Sequence, residues 1–335
     1  MQTFLNILLT LIIFLVIIII HEFGHFIAAK MCNVKVNEFS IGMGPQIFRK
    51  RGKETLYSVR AFPIGGFVSM EGEDSASDDP RAFRNQNVLK RIFIIVAGAF
   101  MNLVLGFLVI TLLTVTTDKL ASNTVSTVKE NSLISQSGIR PDDTILKVND
   151  RRIFIATDIS YEFAHDADRD VSMVIRRNGE KITLDSVKFD PSQGIGFTVK
   201  PIKKTFSNVI IYSLRHTACI GRLIWVSIID LVTGKASVND LSGPVGMTQV
   251  VGDAAKIGLP NLTLLLAFIT INVGIFNILP VPALDGGRLL FLIIEAIRRK
   301  PVKPEHEGYI HFIGFALVIL LMIFVTFNDI LKLVK

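Results

Sequence analysis

The sequence predicts an α-helical polytopic membrane protein of four transmembrane helices, with a membrane-associated β-hairpin region and an inserted α+β domain. Three observations carry that prediction. Half of the residues are hydrophobic and the mean hydropathy is +0.50, values foreign to an ordinary soluble chain. The apolar residues gather into runs that can cross a hydrocarbon core of about 30 Å, which takes about twenty helical residues. The polar residues concentrate in one stretch, 118–201, the size of a small domain.

Residues 7–29 are the first expected span: from Ile7 to Ile20 only Thr10 interrupts the apolar run. Residues 92–115 and 311–327 are the second and the last. Residues 262–279 are a shorter span ended by Pro280-Val281-Pro282, sufficient where tilt is small or the bilayer thin. Residues 209–232 are apolar yet carry Arg215, His216, Arg222 and Asp230, which suits an amphipathic interfacial helix better than a fifth span. The expected organisation is 1–117, two spans with a cytoplasmic loop and hairpin; 118–201, an extracytoplasmic domain; 202–260, an interfacial region; and 261–335, the last two spans.

Eleven lysines and arginines lie from Lys30 to Arg91, and Arg298, Arg299, Lys300 and Lys303 precede the last span. A positive-inside bias puts both loops in the cytoplasm and both termini outside. The net charge of +7 is thus accounted for by span flanks, and no aromatic-basic nucleic-acid motif accompanies it. Two cysteines, Cys32 and Cys219, imply no disulfide framework. Residues 1–6 carry no Lys or Arg, beginning at Met1, and no A-x-A-like site follows the first run, so that run is read as retained rather than cleaved.

Within 118–201, residues 171–176 alternate, Arg177-Asn178-Gly179-Glu180 reads as a hairpin turn, and residues 181–184 answer the first strand. The stretch from Asn131-Ser132 through Gly138-Ile139-Arg140-Pro141-Asp142-Asp143 to Asp150 resembles the loop-strand signature of a PDZ domain, with Asp142-Asp143 where Gly-Asp is usual. The cytoplasmic stretch 38–70 also has strand character, punctuated by Gly42, Gly44, Gly65 and Gly66. Phe67-Val68 is too apolar for a free loop, and non-helical backbone enters a membrane only under protein cover or beside water. A hairpin dipping inward there would offer an edge strand to an extended peptide.

His21-Glu22-Phe23-Gly24-His25 closes the first apolar run. On a helix His21 and His25 lie one turn apart on one face, so two imidazoles can hold one Zn²⁺ while Glu22 reaches the water it activates. Ionisable residues in a span point to function, and the implied chemistry is hydrolysis inside a membrane. A third protein ligand is still needed. Asp285 is the candidate, in a segment from Asn277 to Gly287 where prolines interrupt the helix and glycines permit close backbone approach. His21, His25 and Asp285 share a depth only if spans 7–29 and 262–279 run the same way, which also favours four spans. Asn277 could donate to a carbonyl oxygen as charge develops on it.

With these motifs in their order and separation, the chain resembles the site-2 protease family of intramembrane zinc metalloproteases, in its bacterial sigma-factor-regulating branch. The resemblance implies that His21, His25 and Asp285 ligate zinc and that Glu22 is the catalytic acid/base. It implies that Asn277 positions substrate or stabilises its oxyanion. It also implies a single-span transmembrane substrate, such as an anti-sigma factor or signal-peptide remnant, and a PDZ domain that excludes bulky ectodomains or binds a trimmed terminus points to prior cleavage by another protease. The location implied is the bacterial inner membrane, with the PDZ domain outside and the site toward the cytoplasm. Gly98 and Asn102 of the second span and Ser242-Gly243-Pro244-Val245-Gly246 resemble the family too; the proline common after the first glycine is Ala99 here. Other readings of the residues are a membrane-anchored PDZ adaptor with a structural or vestigial zinc site, in which Glu22 is dispensable, and a metal transporter. His165, His216, His306 and His311 carry no ligand spacing and read as surface or interfacial residues.

Overall fold

The structure, a computed structural model, describes residues 2–73, 77–130, 132–166, 168–190, 192, 194–237, 241–300, 302 and 304–334. Met1, Asn131 and Lys303, used in the sequence reading, lie outside the described residues. The chain divides into two compact units, Met1–Val109 with Leu223–Lys335, and Ile110–Arg222.

The larger unit is built on helices. Helix α1 (Gln2–Met31) is followed by strands β1 (Val36–Arg51) and β2 (Leu56–Met70) and by helix α2 (Val88–Thr116), whose last turns enter the second unit. After the second unit come α6 (Pro244–Ile257), α7 (Leu259–Ile278), α8 (Asp285–Arg298) and α9 (Pro304–Val334). Together with α5 (Phe206–Val232), the helices α1, α2, α7 and α9 are long and apolar enough to cross a membrane. The β-branched Ile and Val of α1 are indifferent helix formers in water; in lipid, only a helix satisfies every backbone group within one segment. By length and composition there are thus five candidate spans among the described residues where the sequence favoured four, and α5 is the least apolar, at a mean hydropathy of 1.2 against 1.9 to 3.1 for the others.

Helix α6 packs against both α1 and α7: Ile13, Ile17, Val251 and Ile269 form one buried cluster. Gly252 of α6 meets Asn6 at the start of α1, and Asp329 near the end of α9 accepts the Gly246 N–H of α6 at 2.8 Å. Helix α6 therefore sits at the end of the bundle where α1 begins and α9 finishes. Helix α7 stops because Leu279 precedes Pro280 and is extended, at ψ 142°.

The hairpin expected at 38–70 is present in a more folded form. Glu38–Ile41 lie opposite both Leu56–Val59 and Gly66–Ser69, and residues 48–51 pair with 56–59. Gly66–Met70 is consequently outermost, with its free edge unpaired by any strand among the described residues. Bends at Gly42, Gly44 and Gly65, all at positive φ, let two strands fold into this four-segment layer.

The second unit is a small α+β domain. Strands β3 (Leu120–Val128), β4 (Thr144–Val148), β5 (Arg151–Arg152), β6 (Asp170–Arg177), β7 (Glu180–Lys188) and β8 (Phe197–Ile202) form a sheet of order β7-β6-β4-β3-β8, with β5 on β4, and every pairing is antiparallel. Helices α3 (Leu133–Gln136) and α4 (Ala156–His165) complete it. The turn expected at 177–180 is there: Arg177 pairs with Glu180 across Asn178 and Gly179, both at positive φ. Val125, Ile145, Val148, Val171, Met173 and Ile175 fill the core. The first part of α5 packs on this domain through its polar residues. Arg222 donates to Asp158 Oδ1 at 2.7 Å and to the Arg152 carbonyl at 2.6 Å.

Candidate metal centre

The last turns of α1 carry His21, Glu22 and His25, and the break after α7 delivers Asp285 as the first residue of α8. The break is held by two devices. A Cβ on Gly286 would stand 2.5 Å from the Ile278 carbonyl oxygen, so only glycine lets α8 start hard against the end of α7. Ala283 is held at φ 79°, a strained value for a residue with a side chain, and its N–H donates to His311 Nδ1 at 3.1 Å. His311, read from sequence as a surface or interfacial residue, is half-buried and braces the turn that presents Asp285. It lies 26 residues beyond Asp285 on another helix, so no local spacing reveals it.

Three side-chain atoms converge. Asp285 Oδ2 lies 3.0 Å from His21 Nε2 and 3.2 Å from His25 Nε2, and the two imidazole nitrogens are 3.3 Å apart. The three side chains are 12, 9 and 23% exposed. Their ligand atoms all lie within 4.8 Å of one another, a grouping able to hold a metal ion. The donor set of two imidazoles and a carboxylate suits zinc with a position left open. Two further observations fit a metal. His25 Nδ1–H donates to the Ile94 carbonyl at 2.9 Å, which turns Nε2 toward the cluster as ligating histidines require. Gly98 of α2 faces both rings, and any Cβ there would press into His25 and lie 2.9 Å from His21 Cε1.

A cavity of about 430 Å³ opens on the cluster. Its wall includes His21, Glu22, His25, Asp285, the outer-strand residues Phe67–Met70, and the opposite charges Glu73 and Arg288. Gly66 brings that strand close to the base: a Cβ there would stand 3.2 Å from Glu22 Cγ. Arg288 is paired with Glu73, and neither was singled out from sequence, since no spacing links residues so far apart. Asn277, on the last turn of α7, is half-buried and is not among the residues lining this cavity. Asn102 of α2, in contrast, is fully buried with its amide nitrogen 3.3 Å from His21 Nδ1.

The profile of Peptidase family M50 matches residues 9–321. A Clostridium acetobutylicum protein that carries zinc metalloprotease as a provisional name is 40% identical over 334 residues, covering 98% of each chain. Zinc metalloprotease RasP of Bacillus licheniformis is 31% identical, over 96% of this chain and 98% of its own. The regulator of sigma-W protease RasP of Bacillus subtilis is 29% identical, over 96% and 97%.

Proposed function

The chain belongs to peptidase family M50, and on that premise we propose that it is an intramembrane zinc metalloprotease that cuts the transmembrane segment of single-span membrane proteins. The observation that carries the reading is the convergence of His21, His25 and Asp285 on one point, beside Glu22 and an open strand edge. His21, His25 and Asp285 hold the zinc. Bound there, zinc lowers the pKa of a water and polarises a carbonyl.

The remaining work falls to this chain's own groups. Glu22 takes the proton of the attacking water and passes it to the leaving nitrogen. A transmembrane helix hides its carbonyls in hydrogen bonds, so substrate must unwind before attack. The free edge of Phe67–Met70 then holds it extended by strand addition, beside Glu22. Asn277, outside that lining, meets a substrate segment that extends beyond the cavity and positions it there. The name of the Bacillus subtilis relative supports an anti-sigma factor as substrate, trimmed beforehand by another protease.

The location proposed is the bacterial cell membrane, the site toward the cytoplasm, with the basic residues from Lys30 to Arg91 on that side. The second unit lies outside and acts as a PDZ domain that excludes bulky ectodomains or binds a trimmed terminus. Asp285, just past the end of α7, meets His21 and His25 in the last turns of α1; two spans that run the same way have an odd number of crossings between them, and α2 alone supplies one, which supports four spans with α5 in the interface.

The test is Glu22→Gln in the full chain, assayed on a tagged single-span substrate in liposomes with zinc measured alongside. The expected result is zinc retained and cleavage lost. Undiminished cleavage sinks the mechanism, and a parent protein without zinc sinks the premise; both would favour an adaptor or transporter.

A further inference from the structure

Asn102 is fully buried in α2, where an amide is costly unless its polar atoms are used. Its backbone is fixed by the Thr270 hydroxyl of α7, which donates to the Asn102 carbonyl at 3.3 Å. Its side chain is packed on the other flank by Gly274, where a Cβ would lie 3.3 Å from Asn102 Cβ. The amide itself makes one contact: Nδ2 stands 3.3 Å from His21 Nδ1, while Oδ1 is buried with no hydrogen-bond partner.

The other face of the same imidazole decides how that amide is turned. His21 Nε2 points at Asp285 Oδ2 and at His25 Nε2. An imidazole that gives its Nε2 lone pair to a metal carries its hydrogen on Nδ1. An N–H facing an NH₂ group is donor against donor. A half-turn about the Asn102 Cβ–Cγ bond exchanges the two amide atoms in place and sets Oδ1 opposite that N–H. One amide atom lacks a protein partner in either orientation, so the choice rests on His21. His25 has the same arrangement already, its Nδ1–H held by the Ile94 carbonyl of α2.

We propose that Asn102 is a positioning residue whose side-chain oxygen accepts the His21 Nδ1 proton and so keeps Nε2 turned to the metal. Helix α2 then orients both imidazoles of α1, one with a backbone carbonyl and the other with a side chain. The inference rests on the ligand assignment above. An outer partner of this kind is worth roughly 10–100-fold in metal affinity.

The experiment is zinc titration against a chromophoric chelator, on the detergent-purified full chain and its Asn102→Ala, Asn102→Leu, Asn102→Asp and His21→Ala variants. Asn102→Ala and Asn102→Leu are expected to weaken zinc roughly 10–100-fold. Leucine fills the space but offers no acceptor. Asn102→Asp should bind within about threefold of the parent or tighter, because a carboxylate only accepts. Parent-like affinity in Asn102→Leu overturns the proposal, as does an Asn102→Asp protein that folds yet binds as weakly as Asn102→Ala. If the aspartate variant gives no monodisperse protein, the leucine comparison decides. Thermal unfolding of the metal-free forms supplies a second readout: if Asn102→Leu loses the same thermal stability with and without zinc, Asn102 only packs and the proposal falls. Parent-like zinc binding by His21→Ala refutes the ligand assignment itself, a failure distinct from that of Asn102.

Discussion

His25 Nδ1–H donates to the carbonyl of Ile94 at 2.9 Å, so a backbone group of α2 sets the direction in which an α1 imidazole points. The same helix leaves the space that the two rings fill, because Gly98 has no Cβ. In an ordinary helix, Gly→Ala stabilises by about 1 kcal/mol. Here the added methyl would enter the volume of His25 and approach His21 Cε1. Gly98→Ala is therefore expected to lose zinc affinity by at least roughly tenfold, the size of effect that misdirected ligands produce. Chelator titration beside the parent checks it; unchanged affinity would mean the rings have room to retreat.

A second tie holds the third ligand. Arg91 of α2 pairs with both carboxylate oxygens of Glu295 on α8, the helix that begins at Asp285, with Arg91 Nη1 3.2 Å from Oε2. The side chains are only 10 and 17% exposed. Removing one partner leaves a poorly solvated charge, so Glu295→Ala should cost about 3–5 kcal/mol, read as a thermal midpoint lower by roughly 4–7 °C. A double variant, Arg91→Met with Glu295→Leu, should recover most of that loss. A double variant as unstable as the sum of its singles would refute the pairing argument.

What could be read from sequence and what could not divide along the chain distance of each contact. His21 and His25 are four residues apart, and a helix makes that spacing a shared face. Asp285 was recognisable because Pro280, Pro282, Gly286 and Gly287 mark a deliberate break. The turn at Asn178-Gly179 was legible for the same local reason. The Ile94 carbonyl carries no signature, since every residue has one. Arg91 and Glu295 are 204 positions apart, and His311 supports Ala283 from a different helix. The hairpin at 38–70 was expected, but not that Glu38–Ile41 would have strands on both sides. Glycine bends, not the apolar pattern, decide that layering.

Acid should loosen the loop between the two strands. Glu54 accepts hydrogen bonds from Arg81 and from Lys30, each at 2.5 Å, and these hold its pKa at about 2 against an ordinary 4.5. A carboxylate with a depressed folded pKa adds stability that is complete above the unfolded value and disappears as pH falls through the folded one. The loss should fall between pH 4.5 and 2, where protonation removes the link from the end of α1 to the hairpin. Thermal midpoints of the parent and Glu54→Gln should therefore converge as pH drops from 6 to about 2.5, the parent being the more stable at pH 6. A constant difference across that interval would show that Glu54 does not carry the acid response.

The placement of α5 has a direct readout. A helix rises 1.5 Å per residue, so in a vertical crossing that began at Phe206, Arg222 would lie about 24 Å down the helix. Its guanidinium, however, is bound by Asp158 and by the Arg152 carbonyl of the α+β domain, which would have to lie at that depth with it. Ile211, Leu214, Trp225, Ile229 and Val232 are exposed and recur at helical spacing, an apolar stripe suited to lying in the bilayer surface. Single cysteines at Lys204 and Lys235, in a chain lacking Cys32 and Cys219, should both react with an impermeant maleimide added outside intact cells. Protection of the Lys235 position until the membrane is opened would place the ends of α5 on opposite sides and make it a fifth span.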